Sequence, residues 1–263
     1  MTESPPPAVQ TSLPSVTAIT YLTPLREGGS LPAIMEADDL GTYVVKFAGA
    51  GQGPKALVSE IIVGELARAL GIRTPDLVLV DVDGELARSE PDFEVQDLVQ
   101  ASAGLNLGVD YLPGSVGYDR SFPVPADEAA RVVWMDALVA NVDRSARNTN
   151  LLIWHHNLWA IDHGACLRFH HSWGDPDRFA RSAYRYDDHV LAGIGDPRSV
   201  HDELTGIVTG PLLDSITALV PDSWLEPDPS RPDPGAPTDP VAARAAYRDY
   251  LLARLDAAEE WLP

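Results

Sequence analysis

Between Pro125 and Ala140 the chain writes a helix that is apolar on nearly every face: Ala130, Val133, Trp134, Met135, Ala137, Leu138 and Val139 leave no broad polar stripe. Pro125, followed by Asp127 and Glu128, marks its start, because proline suits the first helical turn and carboxylates suit its positive end. Such a helix is stable only when enclosed, so other elements must pack around it. With 263 residues, 45% of them hydrophobic, the chain can bury one substantial core or two lobes sharing a cleft, but not two large independent domains.

What precedes the helix has a different character. Residues 1–15 are rich in Pro, Ser and Thr and read as a disordered lead-in, with order expected from Val16. Thr17 to Leu22, Ala33 to Glu36 and Thr42 to Phe47 read as strands of an antiparallel meander, and Lys55 to Leu70 as one helix on that small sheet, closed by Gly71. Leu77 to Val82 and Glu85 to Arg88, around Asp83-Gly84, read as a hairpin. Ser89 opens a helix to about Ala103, and Leu105 to Leu112 is a further strand. After the apolar helix come two strand-like pieces, Asn150 to Trp154 and Leu158 to Ile161. The Pro/Asp-rich stretch 226–240 reads as a linker, and Ala242 to Trp261 as a helix with a Tyr247, Leu251, Leu255, Ala258, Leu262 stripe. The expected class is α+β, with an N-lobe at 16–112 built on a small antiparallel sheet and a mainly helical C-lobe at 113–225. The tail helix at 241–263 is expected to pack on that second lobe.

Charge narrows the partners. Nineteen basic against 39 acidic residues leave −20, which repels nucleic-acid phosphates and anionic lipids alike. No run approaches the length of a membrane span, the N-terminus lacks the basic and apolar segments of a signal peptide, and Cys166 is the single cysteine, so a cytoplasmic protein without disulfides is expected. Seven histidines show no zincin spacing and are assigned to packing or substrate-loop roles. Of the basic residues only Lys46 and Lys55 are lysines, close together near a Gly-rich stretch. In a chain that otherwise chooses arginine, a compact ammonium there suggests a chemical need.

The segment Asn141-Val142-Asp143-Arg144-Ser145-Ala146-Arg147-Asn148-Thr149-Asn150 leaves the buried helix and enters the strand pair, which ends in Ile161-Asp162-His163-Gly164. Phosphoryl transfer needs a carboxylate to orient the attacking hydroxyl and hard oxygens to hold magnesium against the phosphates. Asp143 suits the first task; Asn148 and Asp162 suit the second. Single Asp and Asn residues in loops commonly just cap turns, but this ordered set, with strands on both sides, points to chemistry. Lys46 at a strand end and Glu60 on the next helix complete the pattern, as a lysine for the α- and β-phosphates steered by a carboxylate. Gly28-Gly29-Ser30 sits in the turn where backbone amides can cover phosphates, with Gly29 and Ser30 as candidates. Gly49 to Lys55 superficially resembles a Walker loop, but Pro54 and Ala56 break it; Lys55 is kept as a possible phosphate contact. Asp110, Tyr111 and Leu112 would connect the lobes and offer backbone groups to an adenine edge.

VVKF, SEIIVGELARALGIRTPD, NVDRSARNTNLL and AIDHG, over about half the chain, resemble the HipA-like kinases, whose catalytic domain is similar to those of protein kinases and phosphoinositide kinases. LNLGVDYLPG and FHH look more like a short HipA-related subgroup. The resemblance implies Asp143 as catalytic aspartate, Asn148 and Asp162 as metal ligands, Lys46 as the ATP lysine, ATP with Mg2+ or Mn2+ as cofactors, and Ser or Thr of a protein as acceptor. Two departures stand out: Ser145 where both relatives usually carry histidine, and His163 where protein kinases carry phenylalanine. There is no obvious room for the extra N-terminal subdomain of the long HipA toxins, so no antitoxin partner is carried over. A small-molecule kinase and a nucleotide-binding pseudokinase scaffold are the alternatives, and a lipid kinase is disfavoured by the charge.

Overall fold

The structure is a computed structural model that describes residues 12–26, 30–51, 53–173, 175–227 and 235–263. Five strands come first: β1 (Ser15–Pro24), β2 (Ala33–Ala37), β3 (Thr42–Lys46), then, after α1 (Pro54–Ala69), β4 (Leu77–Val82), and after α2 (Phe93–Ala101), β5 (Gly104–Asp110). Alternation with period two sends Ala33, Met35, Ala37, Val45, Val78, Val80 and Val82 to one buried face, which Val95 and Val99 of α2 cover. The sheet is not an open antiparallel one. It closes as a barrel in the order β1-β2-β3-β5-β4 because β1 runs parallel to β4 at Ser15–Leu79, Val16–Val80 and Thr17–Asp81. Closure leaves no long unpaired edge, and small inward residues such as Ala18, Ala33 and Ala37 let so few strands meet. Gly108 shows how tight the fit is, since a Cβ there would lie 2.6 Å from a Val80 methyl.

Several local expectations change. Glu85 to Arg88 is no strand: Asp83 accepts from the Glu85 amide and starts a 3-10 turn at Gly84–Ala87. Asp92, not Ser89, caps α2. The chain is already anchored before Val16, where Leu13 is buried and the Pro14 carbonyl accepts from Leu79.

After β6 (Val116–Gly117), the enclosed helix α3 (Ala126–Leu138) leads to the hairpin β7 (Leu151–Trp154) and β8 (Asn157–Ala160). Short helices follow: α4 (Pro176–Ala180), α5 (His201–Ile207), α6 (Gly210–Thr217) and α7 (Asp222–Leu225), then α8 (Pro240–Asp256) and α9 (Ala258–Trp261). The expected tail helix therefore breaks near Ala257, and α8 packs on α4, α6, α7 and α3 with Leu251 fully buried and Leu255 partly so. Of the linker, residues 228–234 lie outside the described set. Helix α1 does more than cover a sheet: ten of its residues are buried, and it is wedged against α6 and α7 as well as against Leu77 and Leu107 of the barrel. Among the described residues no helix is long and apolar enough to cross a membrane.

Candidate active site

Lys46 is the last residue of β3, and its ammonium reaches two carboxylates from distant parts of the chain. Glu60, on the buried middle of α1, accepts from Nζ, and Asp162 Oδ1 lies 2.6 Å away. Lys46 and Glu60 side chains are 13% and 3% exposed, whereas Asp162 keeps 47%. Burial raises the Glu60 carboxyl while Lys46 pulls it down, and the carboxyl ends up raised. Asp162 is lowered, chiefly by the Lys46 charge; for Lys46 burial works downward, but the two carboxylates outweigh it and the ammonium is raised. The ammonium is thus a fixed positive charge shared by an inner and an outer carboxylate.

Asp162 follows β8 in a left-handed conformation, φ 55°, which turns the chain sharply. Gly164 lies so close to α1 that a Cβ would stand 3.2 Å from Glu60 Oε1, so a glycine here lets the segment approach the glutamate. Between them His163 is buried. Its Nδ1 is 3.4 Å from Arg144 Nη2 and its Nε2 has no partner among the described residues. Burial, helped by Arg144, drags its pKa down to about 3, so the ring is neutral.

Asp143 and Asn148 face each other in the loop after α3. Asp143 Oδ2 accepts from Asn148 Nδ2 at 2.9 Å and from Asn150 Nδ2 at 3.2 Å. Ser145 closes this loop: its amide donates to the Asn148 carbonyl, and its hydroxyl accepts from the amides of Arg147 and Asn148. Beneath lies a network not recognised in the sequence. Asp136, fully buried on α3, takes Arg144 Nε at 2.6 Å, His189 Nε2 at 2.9 Å and Asn141 Nδ2 at 2.8 Å. Arg144 also donates to the carbonyls of Asn150 and, at 3.5 Å, Ile161, and Asn141 accepts from the Asp143 amide. Burial alone would raise Asp136, but Arg144, His189 and Asn141 together hold it well below the usual carboxylate range. The available signal was an aspartate set in the apolar run Val132 to Val139, which demands a partner.

The other candidates fare differently. Gly29 lies outside the described residues; Ser30 is exposed in the β1–β2 turn. Lys55 is turned to the helical side, where Nζ donates to the His170 carbonyl at 2.5 Å and lies 6.0 Å from the Trp173 ring. Asp110 ends β5 and Tyr111 and Leu112 follow it, but the Tyr111 amide is committed to the Thr42 carbonyl at 3.0 Å, so it is not free for a base edge. Leu112 is buried and Asp110 is raised by burial and by Asp76. Cys166 is a buried free thiol pushed up by burial.

Metal fit rests on the donor set. Among the described residues no group of three or more His, Cys, Asp or Glu forms a cage. Magnesium needs none, since it takes one or two protein oxygens alongside phosphates and water. Asp162 offers its second oxygen, and Asn148, with its amide nitrogen spent on Asp143, has its carbonyl oxygen for a cation.

No curated protein matches the chain. Among solved structures, a proinflammatory kinase of Helicobacter pylori, CtkA, superposes with a TM-score of 0.56 at 12% identity, over 93% of this chain and 97% of that one. A Golgi casein kinase, also solved with Mn/ADP bound, gives a TM-score of 0.41 at 14–15% identity, over 95% of this chain and 73–74% of that one. The first likeness supports a kinase fold. The family profile of HipA-like kinases matches residues 19–243, and with that span covered the chain belongs to the HipA-like kinase family.

Proposed function

We propose that this chain transfers the γ-phosphoryl group of ATP, with magnesium or manganese, to the hydroxyl of a serine or threonine in a protein, and that it does so in a cleft between a barrel lobe and a helical lobe. The convergence of Lys46, Glu60 and Asp162 on one ammonium carries the proposal, because three segments separated in sequence meet where phosphates would be held. Lys46 would contact the α- and β-phosphates, held in line by Glu60. Asp162 and Asn148 would hold the divalent cation, which when bound neutralises charge on the β- and γ-phosphates. Asp143, one oxygen fixed by Asn148 and Asn150, keeps the other to accept the acceptor hydroxyl's proton as the oxygen attacks phosphorus. Leu112 rather than Tyr111 would supply an amide to the adenine edge. Thermal denaturation with ATP, with and without magnesium, alongside radiolabelled-ATP transfer, tests this. ATP should raise Tm only with the metal present, and Asp162→Ala should abolish both the shift and the transfer. Equal stabilisation in EDTA would refute the metal roles.

A further inference from the structure

In a molecule of net charge −20, guanidinium groups should all find acids, and most do. Among the described residues the side chains of Arg147, Arg168, Arg178 and Arg185 are the arginines with neither a carboxylate nor a hydrogen-bond partner. Arg168, Arg178 and Arg185 line one cavity of about 530 Å³. Its wall also includes Asn141, Val142 and Ser145, which flank Asp143 in the chain, so the cavity adjoins the loop that carries the proposed base.

Further charge comes from behind. Arg254 of α8 lines the same cavity, is fully buried, and gives its guanidinium to the carbonyls of Ala137, Phe179, Ala180 and Ser182, with no carboxylate among the described residues to neutralise it. Arg144, the remaining arginine of the lining, is matched by Asp136, and His189 is bonded to that same carboxylate. Asp188, exposed, is the carboxylate of the lining. Positive groups gathered in a concavity focus field toward it, and guanidinium forks match carboxylates and phosphates in geometry. The volume falls in the range of ligand sites.

We propose that this cavity is the docking site for acidic side chains of the protein acceptor, which lay carboxylates on Arg168, Arg178 and Arg185 while the hydroxyl reaches Asp143. The inference rests on the kinase function proposed above. The three arginines are exposed rather than sunk, which suits a segment laid across them better than a small enclosed anion.

The full chain should be offered three fluorescent peptides around one serine, flanked by Glu, by Gln or by phosphoserine. Transfer and nucleotide-free binding by anisotropy are read separately, on wild type and on the double variant Arg178→Ala/Arg185→Ala. The Glu peptide should exceed the Gln peptide at least about tenfold in kcat/KM, mainly through KM. That advantage should vanish in the variant and at high salt. The variant keeps its ATP–magnesium Tm shift, which shows that its fold and nucleotide site are intact. Charge-selective binding lost in the variant, but without transfer, would leave the docking site standing and remove the kinase function. Equal binding of Glu and Gln peptides overturns the proposal, and tighter binding of the phosphoserine peptide, displaced by inorganic phosphate, overturns the choice of carboxylates.

Discussion

Lys46 and Glu60 stand on a strand and a helix whose surroundings are apolar, whereas Asp143 and Asn148 stand on an irregular loop whose support is a buried ion cluster of Asp136, Arg144 and His189. The first pair is positioned by the barrel and by the packing of α1, so its placement follows from burial of leucine, isoleucine and valine. The second is positioned by hydrogen bonds that run from α3 through Arg144 to the carbonyls before β7 and after β8. Apolar support tolerates substitutions of similar volume; a buried charge network tolerates almost none, because losing one member strands the others.

Activity gives the widest contrast. Asp143→Asn should lower transfer by about 10³-fold, the weight of a general base, with Tm nearly unchanged because Asp143 is partly exposed. Single-turnover kinetics and a melting curve check both halves. A variant that unfolds instead would mean that the loop depends on the proposed base, and the two kinds of support would no longer be separable.

Stability should divide the regions next. Asp136→Asn leaves Arg144 buried beside a neutral partner and should cost about 3–5 kcal/mol, a fall in Tm of roughly 10 °C. Glu60→Gln should cost less than half as much, since burial already opposes the Glu60 charge and Lys46 retains Asp162. Equal losses, measured by urea denaturation, would break the comparison.

The smallest effect is in pH. His163 titrates near 6.5 when unfolded but at about 3 in the fold, so between those values the unfolded chain binds a proton that the native chain refuses. The His163 contribution to stability is complete above pH 6.5 and drains as pH falls toward 3; His170, also depressed by burial, adds to the same loss, while Glu60, raised by burial, works the other way. His163→Phe should flatten the urea midpoint between pH 6.5 and 4.5 by at most about 1.4 kcal/mol per pH unit. Asp136, whose pKa is depressed, contributes stability that is lost only below the ordinary carboxylate pKa, so it does not blur this window.

What the sequence revealed follows the same division. Lys46, Glu60, Asp143, Asn148 and Asp162 could be picked out as candidates because the chemistry proposed for them needs particular side chains at particular spacings, and the fold brings Lys46 to Glu60 and Asp162, and Asp143 to Asn148; strand and helix periodicity placed β1 to β5 and α1 to within a few residues. The parallel closure of β1 on β4 was not legible, since pairing between residues 64 apart leaves no local pattern. Helices α4 to α7 are too short for periodicity to mark them. Arg144 was read as a neighbour of Asp143, and His189 not at all, because burial of a charged group is decided by tertiary partners. Lys55 was kept for its type and nearness to glycines, and only the fold shows its ammonium drawn to His170.

The wedging of α1 between the barrel and helices α6 and α7 sets a schedule for biosynthesis. Lys46 and Glu60 leave the ribosome early, but the surface that holds α1 comes from residues 210–225, and the helix that packs over α6 and α7 begins only at Pro240. A nascent chain that has already made Lys46 and Glu60 therefore still lacks the wall that fixes them, and the pair gains its full support only after the helix that starts at Pro240 has been made.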